Sequence, residues 1–313
     1  MNDKSSIDSQ ALTLTARGNL AIAILGILFA LLTRSNAILL DGALSIVNAA
    51  FAFLLLRLDR LSQRSDRERF AFGDEMFGPM LEVGKGSIEL TLLGFAALSA
   101  IVTVVAGGQS VNSGMAIGYG ALVAVAGTIF AARQGKSAQR SGTPTLDRDA
   151  KHWFNHGMTG AALAVAFIFA FLMRETDLSE TLRYLDPLLV LGMMAVSISH
   201  PLRTVRDNWT QLWGRTPERA LETRARRFLD RALRLVPHRE SRLRVGRLGQ
   251  QVYVRVDLVI SPDNDLTDDV RDHDRVRKLL FDRLHEGFPH LALDVNFTAD
   301  RIWMQRAIGE DEG

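Results

Sequence analysis

Two textures divide the chain. From Ala11 to Phe171 apolar residues dominate and charge is confined to short bursts, whereas from Arg203 onward charged residues are dense and no apolar run is long enough to cross a bilayer. A helix needs about 20 apolar residues to traverse ~30 Å of hydrocarbon. Six runs fit that requirement: residues 12–32, 36–56, 76–106, 114–132, 149–173 and 184–202. The third ends at Gly107-Gly108, the fifth carries Lys151, His152, Asn155 and His156 in its first turns, and the sixth opens on Asp186-Pro187, where proline suits a first helical turn. The pattern predicts a membrane all-α bundle of six transmembrane helices over residues 1–210 and a small α/β domain over residues 211–313.

The polar segment has its own periodicity. Pro217 to Val236 reads as a helix with Leu221, Phe228, Leu229, Ala232 and Leu235 on one side and arginines on the other. Leu243 to Arg247 and Gln251 to Ile260 read as strands around Gly249, the second alternating as Val252, Val254, Val256 and Leu258. A turn at Pro262 to Asp265, a helix from Asp268 to Glu286, a break at Gly287 to His290 and a strand from Leu291 to Phe297 complete an α-β-β-α-β order. That order suits one sheet covered by helices on one face.

Composition and charge refine this picture. A net charge of +2 over 313 residues gives no case for a nucleic-acid partner, and the mean hydropathy of +0.08 is an average over two unlike halves. The partner implied is membrane lipid. Arginines follow topology: Arg57, Arg60, Arg64, Arg67 and Arg69 lie between spans two and three, and Arg133, Lys136, Arg140 and Arg148 between spans four and five. The opposite loops hold only Arg34, Arg174 and Arg183, so the positive-inside rule puts both termini in the cytoplasm of a multi-pass cell-membrane protein. No small-residue cleavage site follows the first apolar run, and the first helix is read as retained. With no cysteine, a metal must be held by nitrogen and oxygen ligands.

Ionisable groups within spans are costly and mark sites of interest. Asp41, Ser45 and Asn48 form a stripe at i, i+4, i+7 on span two; Glu82, Lys85 and Glu89 form a charge ladder on span three; Asp149 precedes the pair His152 and His156 on span five; Asp186 heads span six. The histidines at i, i+4 set two imidazoles on one helix face about 6 Å apart. Two such rings can share one divalent first-row ion. If the stripes of spans two and five face each other, they enclose a cage of oxygen and nitrogen atoms. Plainer roles stand beside this one: the histidines suit the headgroup region, Asn48 suits helix-to-helix bonding, Asp41 and Asp149 suit structural contacts, and the span-three ladder suits structural specification. The run Asp268, Asp269, Asp272, His273, Asp274 reads as a solvated helix face. No nucleophile with its base, phosphate loop or cofactor motif appears, so no enzyme activity and no bound cofactor are expected.

These motifs together resemble the cation diffusion facilitator family of divalent metal transporters. Ile38-Leu-Leu-Asp-Gly-Ala-Leu-Ser-Ile-Val-Asn48 is similar to its second-helix pattern, Phe70 to Pro79 to its Phe-Gly-His loop, Asp149 to His156 to its fifth-helix His-x-x-x-Asp, and Asp186-Pro187 to its sixth helix. The resemblance covers nearly the whole chain. It implies export of a divalent cation from the cytoplasm by proton antiport, a homodimer, and a ferredoxin-like cytoplasmic dimerisation domain. It places the transport site at Leu44, Asn48, His152 and His156, where zinc-type members have mostly carboxylates and histidine. Leu44 cannot ligate, leaving Asn48, His152 and His156 as metal ligands with Asp41, Ser45, Glu82 and Asp149 as accessory or proton-coupling groups. Asp74 and Phe70 replace loop histidines. Ser241, Asp257, Val270 and Phe297 occupy tail positions that often bind zinc, so no zinc is expected there. The missing carboxylates leave three readings open: other polar groups substitute, a different ion is carried (Zn, Fe, Co, Ni and Mn are undecided), or transport has been lost and the protein is a membrane-bound dimerisation or partner-binding platform.

Overall fold

The computed structural model describes residues 2–62, 76–141, 144–176, 179–213, 219–249, 251–261 and 269–306. Arg64, Arg67, Arg69, the motif positions Phe70 to Asp74, the Pro262 to Asp265 turn and Asp268 lie outside the described residues. Packing divides the chain into a membrane unit, which reaches Val205 apart from a short stretch ahead of Leu81, and a second unit that holds Arg206 onward.

Among the described residues six segments are long and apolar enough to span a membrane. They correspond to α1 (Asn2–Thr33), α2 (Asn36–Ser62), α3 (Phe77–Val105), α4 (Ser113–Ser141), α5 (Pro144–Met173) and a sixth span composed of α6 (Leu185–Ser197) and α7 (Ser199–Leu212). Several helices outrun their apolar stretches. α1 begins ten residues before Leu12 because nothing between Asn2 and Thr33 breaks a helix, and α4 continues through polar residues to Ser141, with Pro144 then opening α5 at a position that tolerates its missing N–H. Pro201 in the first turn of α7 accounts for the interruption at Ile198 in the sixth span.

Turns between spans are built from specific backbone geometry. Arg34 takes a left-handed φ of 58° between α1 and α2, and Ser35 caps α2 by accepting the Ile38 N–H at 3.1 Å. Gly107 (φ 94°) and Gly108 (φ 81°) end α3, with the Gly108 N–H returning to the Thr103 carbonyl at 2.8 Å. Any side chain at Gly108 would also strike the Arg183 backbone, 2.7 Å from an ideal Cβ.

The most extensive pairings in the membrane unit are α4 with α5 and α1 with α2, whereas α3 and the sixth span bury the least of their surface. Small residues make the tight pairings possible. A Cβ on Gly127 would lie 2.5 Å from the Gly157 Cα, and one on Gly120 would lie 2.6 Å from the Ala164 nitrogen, so α4 and α5 touch backbone to backbone. Gly26 and Gly42 do the same for α1 and α2, with a 2.7 Å approach to the Gly42 Cα.

The second unit contains α8 (Arg219–Leu233), β1 (Glu240–Leu248), β2 (Gln251–Val259), α9 (Val270–His285), β3 (Leu291–Thr298) and α10 (Arg301–Arg306). The strands form one sheet in the order β1-β2-β3, antiparallel between β1 and β2 and parallel between β2 and β3. Alternate residues Val252, Val254, Val256 and Leu258 join Leu229, Leu233, Leu280 and Leu284 from α8 and α9 in one core. Asp257 points the other way and is nonetheless buried, accepting from Arg244 at 3.2 Å, Arg255 at 3.1 Å and Asn296 at 2.9 Å. Of the acidic run, Asp269 caps α9, while Asp272 and Asp274 pair with Arg275 and Arg277. α10 continues the fold past the last strand read from the sequence.

Gly127→Leu is expected to lower the thermal unfolding midpoint in detergent and the monodisperse fraction, because overpacking typically costs about 1–3 kcal/mol. Gly94→Ala is the control, since a Cβ there meets nothing within 4 Å. Equal midpoints for the two variants would refute backbone contact between α4 and α5.

Candidate metal-binding site in the membrane unit

The polar stripe of α2 turns inward. Asp41 and Ser45 are buried, Asn48 is half-buried, and Leu44 packs against the apolar core of the unit. The Tyr119 hydroxyl on α4 donates to Asp41 Oδ2 at 2.6 Å, and Asp41 Oδ1 lies 3.7 Å from His156 Nδ1 on α5. His152 is one turn away, its ring nearly parallel to that of His156 at 13° with centroids 6.4 Å apart. The His152 side chain is exposed at the surface of the unit. Two atoms near this convergence, Ser45 Oγ and His156 Nε2, are buried without a hydrogen-bond partner.

The remaining candidates divide into those near the histidines and those engaged elsewhere. On α3, Lys85 pairs with Glu89 at 3.7 Å, and no ion pair among the described residues joins Lys85 to the half-buried Glu82. Lys85 and His200 from α7 both interact electrostatically with His152. Asp149 is taken up by donors: the Thr15 hydroxyl at 2.5 Å and Gln134 Nε2 at 3.3 Å, with Gln134 and Trp153 also donating to Thr15. Asp186 accepts from Ser35 Oγ at 2.5 Å, Gln109 Nε2 at 2.5 Å and the Asn36 and Ala37 N–H groups at 2.9 and 3.3 Å, which anchors the start of α2 to α6. No hydrogen bond among the described residues joins Asn48 to either histidine. None of the described His, Asp and Glu residues gather in a group of three at metal-ligating separation.

Tyr119 and His200 are absent from the sequence reading of the site. Tyr119 had a signal, being a phenol in the middle of an otherwise apolar span, flanked by Gly118 and Gly120. His200 had none, because it lies at the edge of the last apolar run where polar residues are expected.

A six-span membrane unit with facing histidine and carboxylate groups and a small α/β unit is the setting in which the comparison with known families falls. The family model for the cation efflux transmembrane domain matches residues 12–213. The chain therefore belongs to the cation efflux family and is a multi-pass membrane transporter of metal cations. A search of curated proteins returns no match.

Asp186→Ala strips one buried acceptor from four donors and is expected to destabilise the protein by about 2–4 kcal/mol. Asp186→Asn, which keeps an acceptor oxygen, is expected to lose less. Comparing denaturation midpoints in detergent measures both; an alanine variant as stable as wild type would exclude this anchor.

Proposed function

We propose that this transporter exports a divalent transition-metal cation from the cytoplasm across the cell membrane in exchange for protons. The observation that carries the reading is the approach of the buried Asp41 carboxylate to His156, with His152 one turn away. Neutral imidazoles are good ligands for late first-row ions, and a nearby carboxylate offsets part of the ion's charge. Asn48 offers a further oxygen on the stripe of α2, and Ser45 another. Glu82, half-buried on α3 one turn before Lys85, is proposed as an accessory group. Among Zn, Fe, Co, Ni and Mn, an imidazole-rich site with few carboxylates favours Zn, Co, Ni or Fe(II) over Mn.

Coupling follows from the ligands. An imidazole must be unprotonated to bind the ion, so protons and metal compete for the same lone pair as the site opens to either side. The arginines concentrated on one side of the membrane support cytoplasmic termini. The second unit is read as a ferredoxin-like dimerisation domain, its α-β-β-α-β order agreeing with that role, and the working protein as a homodimer.

Two measurements test this in proteoliposomes of the full chain. His152→Ala combined with His156→Ala is expected to reduce flux of Zn, Co, Ni or Fe(II) to the background of empty vesicles, and unimpaired flux would remove the histidines from the site. A pH dye inside the vesicles is expected to report counter-movement of protons with each metal pulse, and collapse of an imposed pH gradient with nigericin is expected to end uphill metal accumulation. Metal movement indifferent to the gradient would exclude antiport.

A further inference from the structure

We infer that Asp41 and Tyr119 act as positioning residues for His156, turning its Nε2 toward the transported cation while the Asp41 carboxylate stays one shell behind. The inference rests on the assignment of His156 as a ligand. It deepens that assignment by naming the atom that binds and the groups that aim it.

An imidazole presents two different nitrogens, and a carboxylate facing one of them favours the proton on that side, leaving the lone pair on the other. Here Asp41 Oδ1 faces Nδ1 at 3.7 Å, longer than a hydrogen bond but within ion-pair range. Nε2 is buried and meets no hydrogen-bond partner. An unpartnered buried nitrogen is costly, and a cation arriving at that lone pair removes the cost. Ser45 Oγ, one turn along α2 from Asp41 and therefore on the same face, is buried and equally unpartnered. Helices α2 and α5 thus each offer an unused polar atom.

The orientation of Asp41 is itself determined. Tyr119 OH holds Oδ2 at 2.6 Å, which leaves Oδ1 to face the imidazole. Tyr119 is fully buried, its ring 5.6 Å from that of Phe29, and its hydroxyl occupies room left by Gly26, where a Cβ would come within 2.9 Å of the oxygen. Helices α1, α2, α4 and α5 therefore all contribute to the direction in which His156 points. A carboxylate behind a histidine ligand raises the ligand's basicity and compensates the ion's charge without entering its coordination sphere. That arrangement accounts for a site whose positions Leu44 and Asn48 carry no carboxylate.

The test is Co(II) binding to the full-length protein in detergent, read by visible absorption, with unfolding midpoints measured in parallel. Asp41→Asn is expected to weaken Co(II) binding by about 10–100-fold, the usual effect of losing such an outer carboxylate. Tyr119→Phe, which removes one oxygen and keeps the ring, is expected to weaken it several-fold, and both variants are expected to keep the wild-type band shape because the ligand set is unchanged. His156→Ala is expected to abolish the bands. Unchanged affinity in both Asp41→Asn and Tyr119→Phe overturns the inference while leaving the ligand assignment intact. A changed band shape in Asp41→Asn also overturns it, by making Asp41 a direct ligand. Wild-type affinity in His156→Ala removes the ligand assignment itself, and the inference with it. Where Asp41→Asn fails to fold, Tyr119→Phe decides alone.

Discussion

A carboxylate inside a membrane bundle must be supplied with donors by its neighbours, because lipid supplies none. Three aspartates of the membrane unit meet this constraint with donors from outside their own helix, whereas Glu89 of α3 pairs with Lys85 on the same helix. Asp186 of α6 gathers Ser35, the first N–H groups of α2 and Gln109 from the α3–α4 loop. Asp149 of α5 binds Thr15 of α1 and Gln134 of α4. Asp41 of α2 binds Tyr119 of α4 and approaches His156 of α5. Each aspartate is thus a rivet between helices, and the apolar contacts that seal the bundle are arranged around three polar points whose geometry admits little alternative.

The three rivets differ in how fully they are saturated, and that difference sets Asp41 apart from the other two. Asp186 has four donors and Asp149 two, and among the described residues neither has an orphaned polar side-chain atom bonded into its network. Asp41 has one hydrogen-bond donor and a histidine at longer range, with Ser45 Oγ and His156 Nε2 unpartnered around it. That contrast is the support for placing the proposed metal site at Asp41 and His156. A metal cation transporter has to hold its cargo and then let it go, and the proposed cage of imidazole and hydroxyl, with its charge one layer back, suits release better than a ring of carboxylates.

Apolar length alone made the six spans legible, since about 20 uninterrupted apolar residues have few alternatives to a membrane helix. The strands of the second unit were equally readable, because Val252, Val254, Val256 and Leu258 alternate cleanly and the sheet follows that alternation. Helix ends were less so: the polar extensions of α1 and α4 carry no apolar signal, and only the absence of a breaker allows them. In the site, the i, i+4 spacing of His152 and His156 translated directly into stacked rings, and the stripe of Asp41 and Ser45 into a buried face. What spacing within one helix does not encode is which residue of another helix it meets. For that reason Asp149, beside the histidines in sequence, bonds to Thr15 and Gln134 on other helices, while Asp41, more than a hundred residues away, stands at His156 with Tyr119 behind it. Spacing along the chain does not distinguish the two aspartates, because cross-helix pairing is a tertiary property.

The glycine contacts carry a mechanical corollary. Gly127 against Gly157 joins α4 and α5 without intervening side chains, and Gly26 against Gly42 does so for α1 and α2. Backbones in direct contact leave no slack between the helices, so each pair packs as one layer. Tyr119 and His156 belong to one pair and Asp41 to the other. Any tilt of one against the other therefore changes both of Asp41's contacts in a single stroke, making the aspartate a gauge of the angle at that joint.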